Sequence, residues 1–91
     1  MELILVKFIE FGGSLYRYEK YYDSENVPFI PRKGDMLKDE GLFEAESLVS
    51  SVEISIEEQY IVINLEIDKF DNGKDFNKAI SNLEDNGWKE N

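Results

Sequence analysis

"VEISIEEQYIVINLEI", residues 52–67, alternates between side chains of two kinds along nearly its whole length. Val52, Ile54 and Ile56 alternate with Glu53, Ser55 and Glu57, and then Ile61, Ile63, Leu65 and Ile67 alternate with Tyr60, Val62, Asn64 and Glu66. Successive side chains of a strand point to opposite faces, so each half reads as a strand with one face buried. A turn centred on Glu58-Gln59 sets Ile56 opposite Ile61, Ile54 opposite Ile63 and Val52 opposite Leu65. The apolar faces of a β-hairpin then coincide in one register.

The segments around this hairpin extend the same reading. "LFEAESLV", residues 42–49, alternates with Phe43, Ala45 and Val49 against Leu42, Glu44, Glu46 and Leu48. The pattern breaks at Ser50-Ser51, as at a β-bulge. Further upstream, "ELILVKFIEF" is apolar on both alternating faces, which suits a strand covered on both sides. Gly12-Gly13 supplies the positive φ of a tight hairpin, and "SLYRYEKYY" completes a hairpin of residues 2–11 and 14–22. Polar "DSEN" leads into "VPFIPRKGDML", where two prolines hold the chain extended, Lys33-Gly34-Asp35 turns it, and a short strand starts at Met36 before a turn at Asp39-Glu40-Gly41. Phe29 and Ile30 read as core residues of this connector. Near the C-terminus the period changes: Phe76, Ala79, Ile80 and Leu83 share one face of a helix. Asp71 or Asn72 caps its start, and Gly87 ends it with Trp88 folding back onto Leu83.

Composition bounds function. Ninety-one residues suit one domain, and 42% hydrophobic with 13% aromatic residues is enough for a core, far from the composition of a disordered chain. There is no cysteine and no histidine, which removes disulfides, thiolate ligands, the common imidazole base and the catalytic pairs built on them. The inventory argues against an enzyme, and no cofactor or metal is expected. Leu3 to Val6 is too short for a signal-peptide core or a membrane span, so the expectation is a cytoplasmic protein.

Three local patterns have simpler explanations than chemistry. "VPFIPRK" spaces two prolines and a base like a ligand of SH3 domains, yet one short match is common by chance. "DKFDNGKD" puts Asp68 and Gly73 where a calcium loop would, but Phe70 and Ala79 occupy ligand positions, so it reads as a helix-capping turn. Tyr16, Tyr18 and Tyr22 interleave with Arg17 and Lys20 as in sheets that stack single-stranded bases, and burial beneath a helix accounts for them better.

Charge carries the functional signal. The formal net charge is −10, and residues 39–68 hold nine acids and no base, while the flanking segments are close to neutral. Affinity for nucleic acid comes mostly from Lys and Arg on phosphates, and anionic membranes need the same residues, so neither is an expected partner. Surfaces ordinarily mix both signs, because uncompensated repulsion costs stability. A protein partner with a basic surface fits this pattern, and the candidate contact residues are Glu44, Glu46, Glu53, Glu57, Tyr60, Val62 and Glu66. Charge steers such an encounter while the aromatic and apolar residues hold it.

The proline-bearing connector, its Gly-Asp turn and the short strands that follow, roughly residues 28–67, resemble small SH3-like barrels. The composition resembles small acidic phage anti-defence proteins and toxin-immunity proteins. The expected fold for the whole chain is a curved antiparallel sheet or small barrel of about five strands. With the C-terminal helix this makes an α+β domain spanning 1–91. The functional expectation is an inhibitor that docks an acidic sheet on a nucleic-acid-handling protein. The alternative is a structural protein assembling through a strand edge into a homo-oligomer or phage particle.

Overall fold

The computed structural model describes all 91 residues. The first hairpin forms as expected: β1 (Glu2–Phe11) pairs antiparallel with β2 (Ser14–Asp23), from Glu2 opposite Asp23 to Phe11 opposite Ser14. Gly12 and Gly13 both adopt positive φ, 61° and 79°, the conformation a two-residue connection requires. After the connector come β3 (Met36–Lys38), β4 (Glu46–Ser55), β5 (Tyr60–Leu65), β6 (Asp68–Lys69), α1 (Gly73–Asp85) and β7 (Lys89–Glu90). The sheet order is β3-β4-β5-β1-β2-β7, with β6 also on β1.

Two expectations about the sheet are corrected. It has seven strands rather than about five, and it is mixed rather than antiparallel: β5 and β6 both run parallel to β1. The sheet is open, running from β3 to β7. The apolar β1 is its central strand, hydrogen-bonded on both edges to β5 and β2; Leu3, Leu5, Lys7 and Ile9 are buried on its helix side, and on the other face Val6 is buried while Ile4 and Phe8 are half-buried. The sequence pattern marks that strand as central but carries no sign of the direction of its neighbour, because alternation is the same in parallel and antiparallel pairs.

The β4–β5 hairpin is also shifted by two residues. Ile54 faces Ile61 and Val52 faces Ile63, with Ser55 opposite Tyr60. A two-residue turn at Glu58-Gln59 would need φ > 0 at Glu58, and in the type I′ form at Gln59 as well, which neither residue favours. The chain uses residues 56–59 instead, with only Gln59 left-handed (φ 58°) and Glu58 N–H donating to Ser55 Oγ at 3.2 Å. A slip of two preserves every face, so the apolar side stays inward. The irregularity at Ser50-Ser51 is present, and Ser50 Oγ donates to the Asn64 carbonyl there. Residues 43–45, expected in a strand, form a 3₁₀ turn in which Glu44 and Ala45 have φ of 58° and 60°.

Helix α1 packs on one face of the sheet. Asn72 caps it, its side chain accepting from Asp75 N–H at 2.8 Å. At the other end Gly87 has φ 88°, Trp88 N–H donates to Leu83 O and Gly87 N–H to Glu84 O, the two bonds of a Schellman motif. Phe76 stacks on Phe11 at 4.5 Å and leans on Tyr16 at 5.1 Å, while Leu83 and Trp88 join Leu3, Leu5, Ile9, Tyr18, Leu42, Val49, Ile61, Ile63 and Leu65 in the core. Tyr16, Tyr18 and Tyr22 therefore belong to the helix-covered side. Val27 of the connector and Leu37 of β3 pack against this core, whereas Phe29 and Ile30 of the connector, expected inside, are 71% and 43% exposed. The prolines fix the backbone there, and the apolar side chains between them point outward.

Candidate sheet-face interface

Strand alternation sends Glu2, Ile4, Val6, Phe8 and Glu10 of β1 to the side of the sheet away from α1. Cross-strand pairing adds Tyr60 and Val62 from β5, Glu53 and Ser55 from β4, and Tyr21 and Asp23 from β2. Two rows result. One reads Ser55, Tyr60, Glu2, Asp23 across β4, β5, β1 and β2; the next reads Glu53, Val62, Ile4, Tyr21. Tyr60, Val62 and Ile4 are half-buried, while Tyr21, Glu2, Asp23 and Glu53 are exposed. The face thus has an aromatic and aliphatic centre rimmed by three carboxylates.

Farther along the same face, β2 carries its own compensated group. Glu19, only 7% exposed, forms an ion pair with Arg17 at 2.8 Å and accepts from the Tyr21 hydroxyl at 2.6 Å and from Asn91 Nδ2 at 3.0 Å. Its hydrogen bond, with burial second, pushes the Tyr21 phenol above its ordinary pKa, so Tyr21 stays a neutral donor with its ring held in place. Arg17 lies over the Phe8 ring at 5.9 Å. Within β4, β5, β1 and β2 it is the one base on this face, and Glu19 already holds it; outside the two rows, β7 adds Lys89 opposite Glu19, β6 adds Lys69 opposite Glu10 and β3 adds Lys38 opposite Glu46.

Of the seven residues singled out in the sequence, Glu53, Tyr60 and Val62 are brought together here. Glu57 sits in the adjoining turn at the tip of the hairpin. Glu66 follows the end of β5, about 13 Å along the strand from Val62. Glu46 starts β4, opposite Lys38 and about 23 Å from Glu53. Glu44 leaves the sheet altogether in the 3₁₀ turn. Ile4, Tyr21, Glu2 and Asp23 were missed because they lie in the electrically balanced N-terminal segment. Only the parallel pairing of β1 with β5 places them beside the acidic hairpin.

Two of the nine acids in residues 39–68 are compensated from elsewhere. Asp39 Oδ2 accepts from Lys20 at 2.9 Å and Tyr22 at 3.0 Å, and Oδ1 from Gly41 N–H at 2.9 Å and Trp88 Nε1 at 3.1 Å. Burial pushes this carboxyl's pKa up, but the bonds from Lys20, Gly41, Trp88 and Tyr22 outweigh it and hold the group below the usual carboxylate value. Asp68 pairs with Lys7 at 3.1 Å. Lys7 is 1% exposed on the helix side of β1, where it also donates to Ser47 Oγ at 2.8 Å and to the Glu66 carbonyl. Its burial lowers the ammonium pKa, and Asp68 and Glu66 offset this in part. The other seven acids form no ion pair.

Comparison with known protein families, curated proteins and solved structures finds no match for this chain. No helix is long and apolar enough to cross a membrane.

Proposed function

We propose that this chain is a small protein-binding module, an inhibitor of anti-defence or immunity type that lays its uncovered sheet face on a basic surface of a nucleic-acid-handling protein. The observation that carries this reading is the pairing of Tyr60, Val62, Ile4 and Tyr21 with rim carboxylates that have no internal cation. A centre of aromatic and aliphatic side chains supplies contact energy, and a surrounding single-sign rim supplies orientation and encounter rate. Proteins that handle nucleic acid present clustered Lys and Arg for phosphates, and such a cluster is the complement of this rim. The partner's cationic site would be occupied, which is how an acidic module inhibits.

The test is affinity capture from source cells at low salt, with bound proteins released by a salt step. Wild type is expected to retain a basic protein that a Glu53→Lys, Tyr60→Ala variant loses. A Glu84→Lys, Asp85→Lys variant, altered on the exposed side of α1, should retain it. Equal recovery by the sheet-face variant and the wild type would refute the proposal.

A further inference from the structure

Strand β4 is ten residues long, but β3 covers only its first part. Met36, Leu37 and Lys38 pair with Leu48, Ser47 and Glu46, and Val49 makes the last backbone contacts on that side, accepting from Gly34 N–H and donating to Asp35 O. From Ser51 to Ser55 the strand pairs with β5 alone. Its outer edge there has no backbone partner. Edge strands are usually short, twisted or bearing inward charges, because an open row of N–H and C=O groups templates pairing with another chain. Here the open run carries Ile54, 55% exposed, and leads into Ile56 of the turn, 81% exposed.

Resting on the reading that the acidic face meets a basic partner, we infer that β4 takes up an extended segment of that partner as an added strand along Ser51–Ser55. The segment alternates apolar and basic residues. Its side chains on the helix side lie beside Val52 and Ile54, and so are apolar. Those on the uncovered side lie beside Glu53 and near Glu57 in the turn, and so are Lys or Arg. Main-chain hydrogen bonds supply affinity, and the alternation supplies selection. A second copy of this chain is a poor occupant. It would bring its own unpaired carboxylates, Glu53 and Glu57 among them, onto the same strip, and like charges across a strand pair repel.

The probe is a capped eight-residue peptide alternating valine and lysine, titrated into the full chain. Backbone amides of Ser51–Ser55 are expected to shift in NMR spectra and to exchange more slowly with solvent. Two further peptides, N-methylated at every valine or at every lysine, keep the charge but each lose one edge of donors; one of them should bind at least tenfold more weakly. Glu53→Lys should weaken the unmodified peptide by a similar factor. If both methylated peptides bind like the parent, or the peptide fails while a captured protein still depends on Glu53, strand addition is wrong and the sheet-face reading stands. If Glu53→Lys changes neither peptide nor captured-protein binding, the sheet-face reading falls with it. Concentration-dependent dimerisation that protects Ser51–Ser55 would assign the edge to a second copy and overturn the inference.

Discussion

Asp39 joins β2, the turn before the 3₁₀ segment and the C-terminal Trp88 through four accepted hydrogen bonds, with its side chain only 6% exposed. Removing it strands Lys20, Tyr22 and Trp88 donors in a poorly hydrated place. Asp39→Ala should therefore cost about 3 kcal/mol in urea unfolding. Because its folded pKa is held below the unfolded value, its contribution is complete above the unfolded carboxylate pKa, about 3.9, and fades as pH falls through the folded value. The acid limb of a stability–pH profile should accordingly flatten in Asp39→Asn. Lys7 presents the opposite balance, a buried ammonium whose charge is tolerated because Asp68, Ser47 and a carbonyl surround it. Asp68→Ala should destabilise by about 3 kcal/mol, and adding Lys7→Met should recover much of the loss, since an apolar side chain no longer needs the missing anion. If the double variant is as unstable as the single one, the charge is not what Asp68 compensates. Lys7 was hidden in the sequence: nothing local to "ELILVKFIEF" supplies a counter-ion for a buried base, and its partners Ser47 and Asp68 are forty and more residues away.

Elements were legible where a local rule sufficed. Gly12-Gly13, the Asn72 cap, the Gly87 stop and the spacing of Phe76, Ala79, Ile80 and Leu83 each have a short-range cause, and each element formed where that cause places it. Failures came where tertiary contacts override a weak local pattern. "FEA" alternates like a strand, but Leu42 is drawn into the core beside Trp88 and the chain must turn sharply to re-enter β4. The turn leaves Ala45 left-handed, a conformation that costs a residue with a Cβ about 1 kcal/mol. Ala45→Gly should thus be neutral to stabilising by up to about 1 kcal/mol, the strain relief being partly offset by glycine's entropy. Gly87→Ala, at φ 88°, should go the other way by about 1 kcal/mol. Gly41 is more constrained still. A Cβ there would lie 2.7 Å from Trp88 Cδ1, so Gly41→Ala should displace the indole, weaken its bond to Asp39 and shift the tryptophan emission.

At the scale of the whole molecule, the charge asymmetry along the chain becomes a spatial one only in part. Glu53, Tyr60 and Val62 meet on the uncovered face, but Glu44, Glu46 and Glu66 are spread along or beyond it, and Asp39 and Asp68 are spent inside the protein. The face is completed by Glu2, Ile4, Tyr21 and Asp23, which reach it through the parallel β1–β5 pair. Composition thus indicated the sign of the surface, while its membership depended on strand direction and on buried counter-ions that no local pattern encodes. The central claim is that this assembled face binds a cationic surface. Its most direct test is the affinity for the captured partner measured across a series of NaCl concentrations, for wild type and for Glu2→Lys, Glu53→Lys. Exposed charges act through a screened field, so the wild-type affinity should fall steeply with salt and the variant should bind more weakly with a much shallower slope. Superimposable salt dependences for the two proteins would contradict the account.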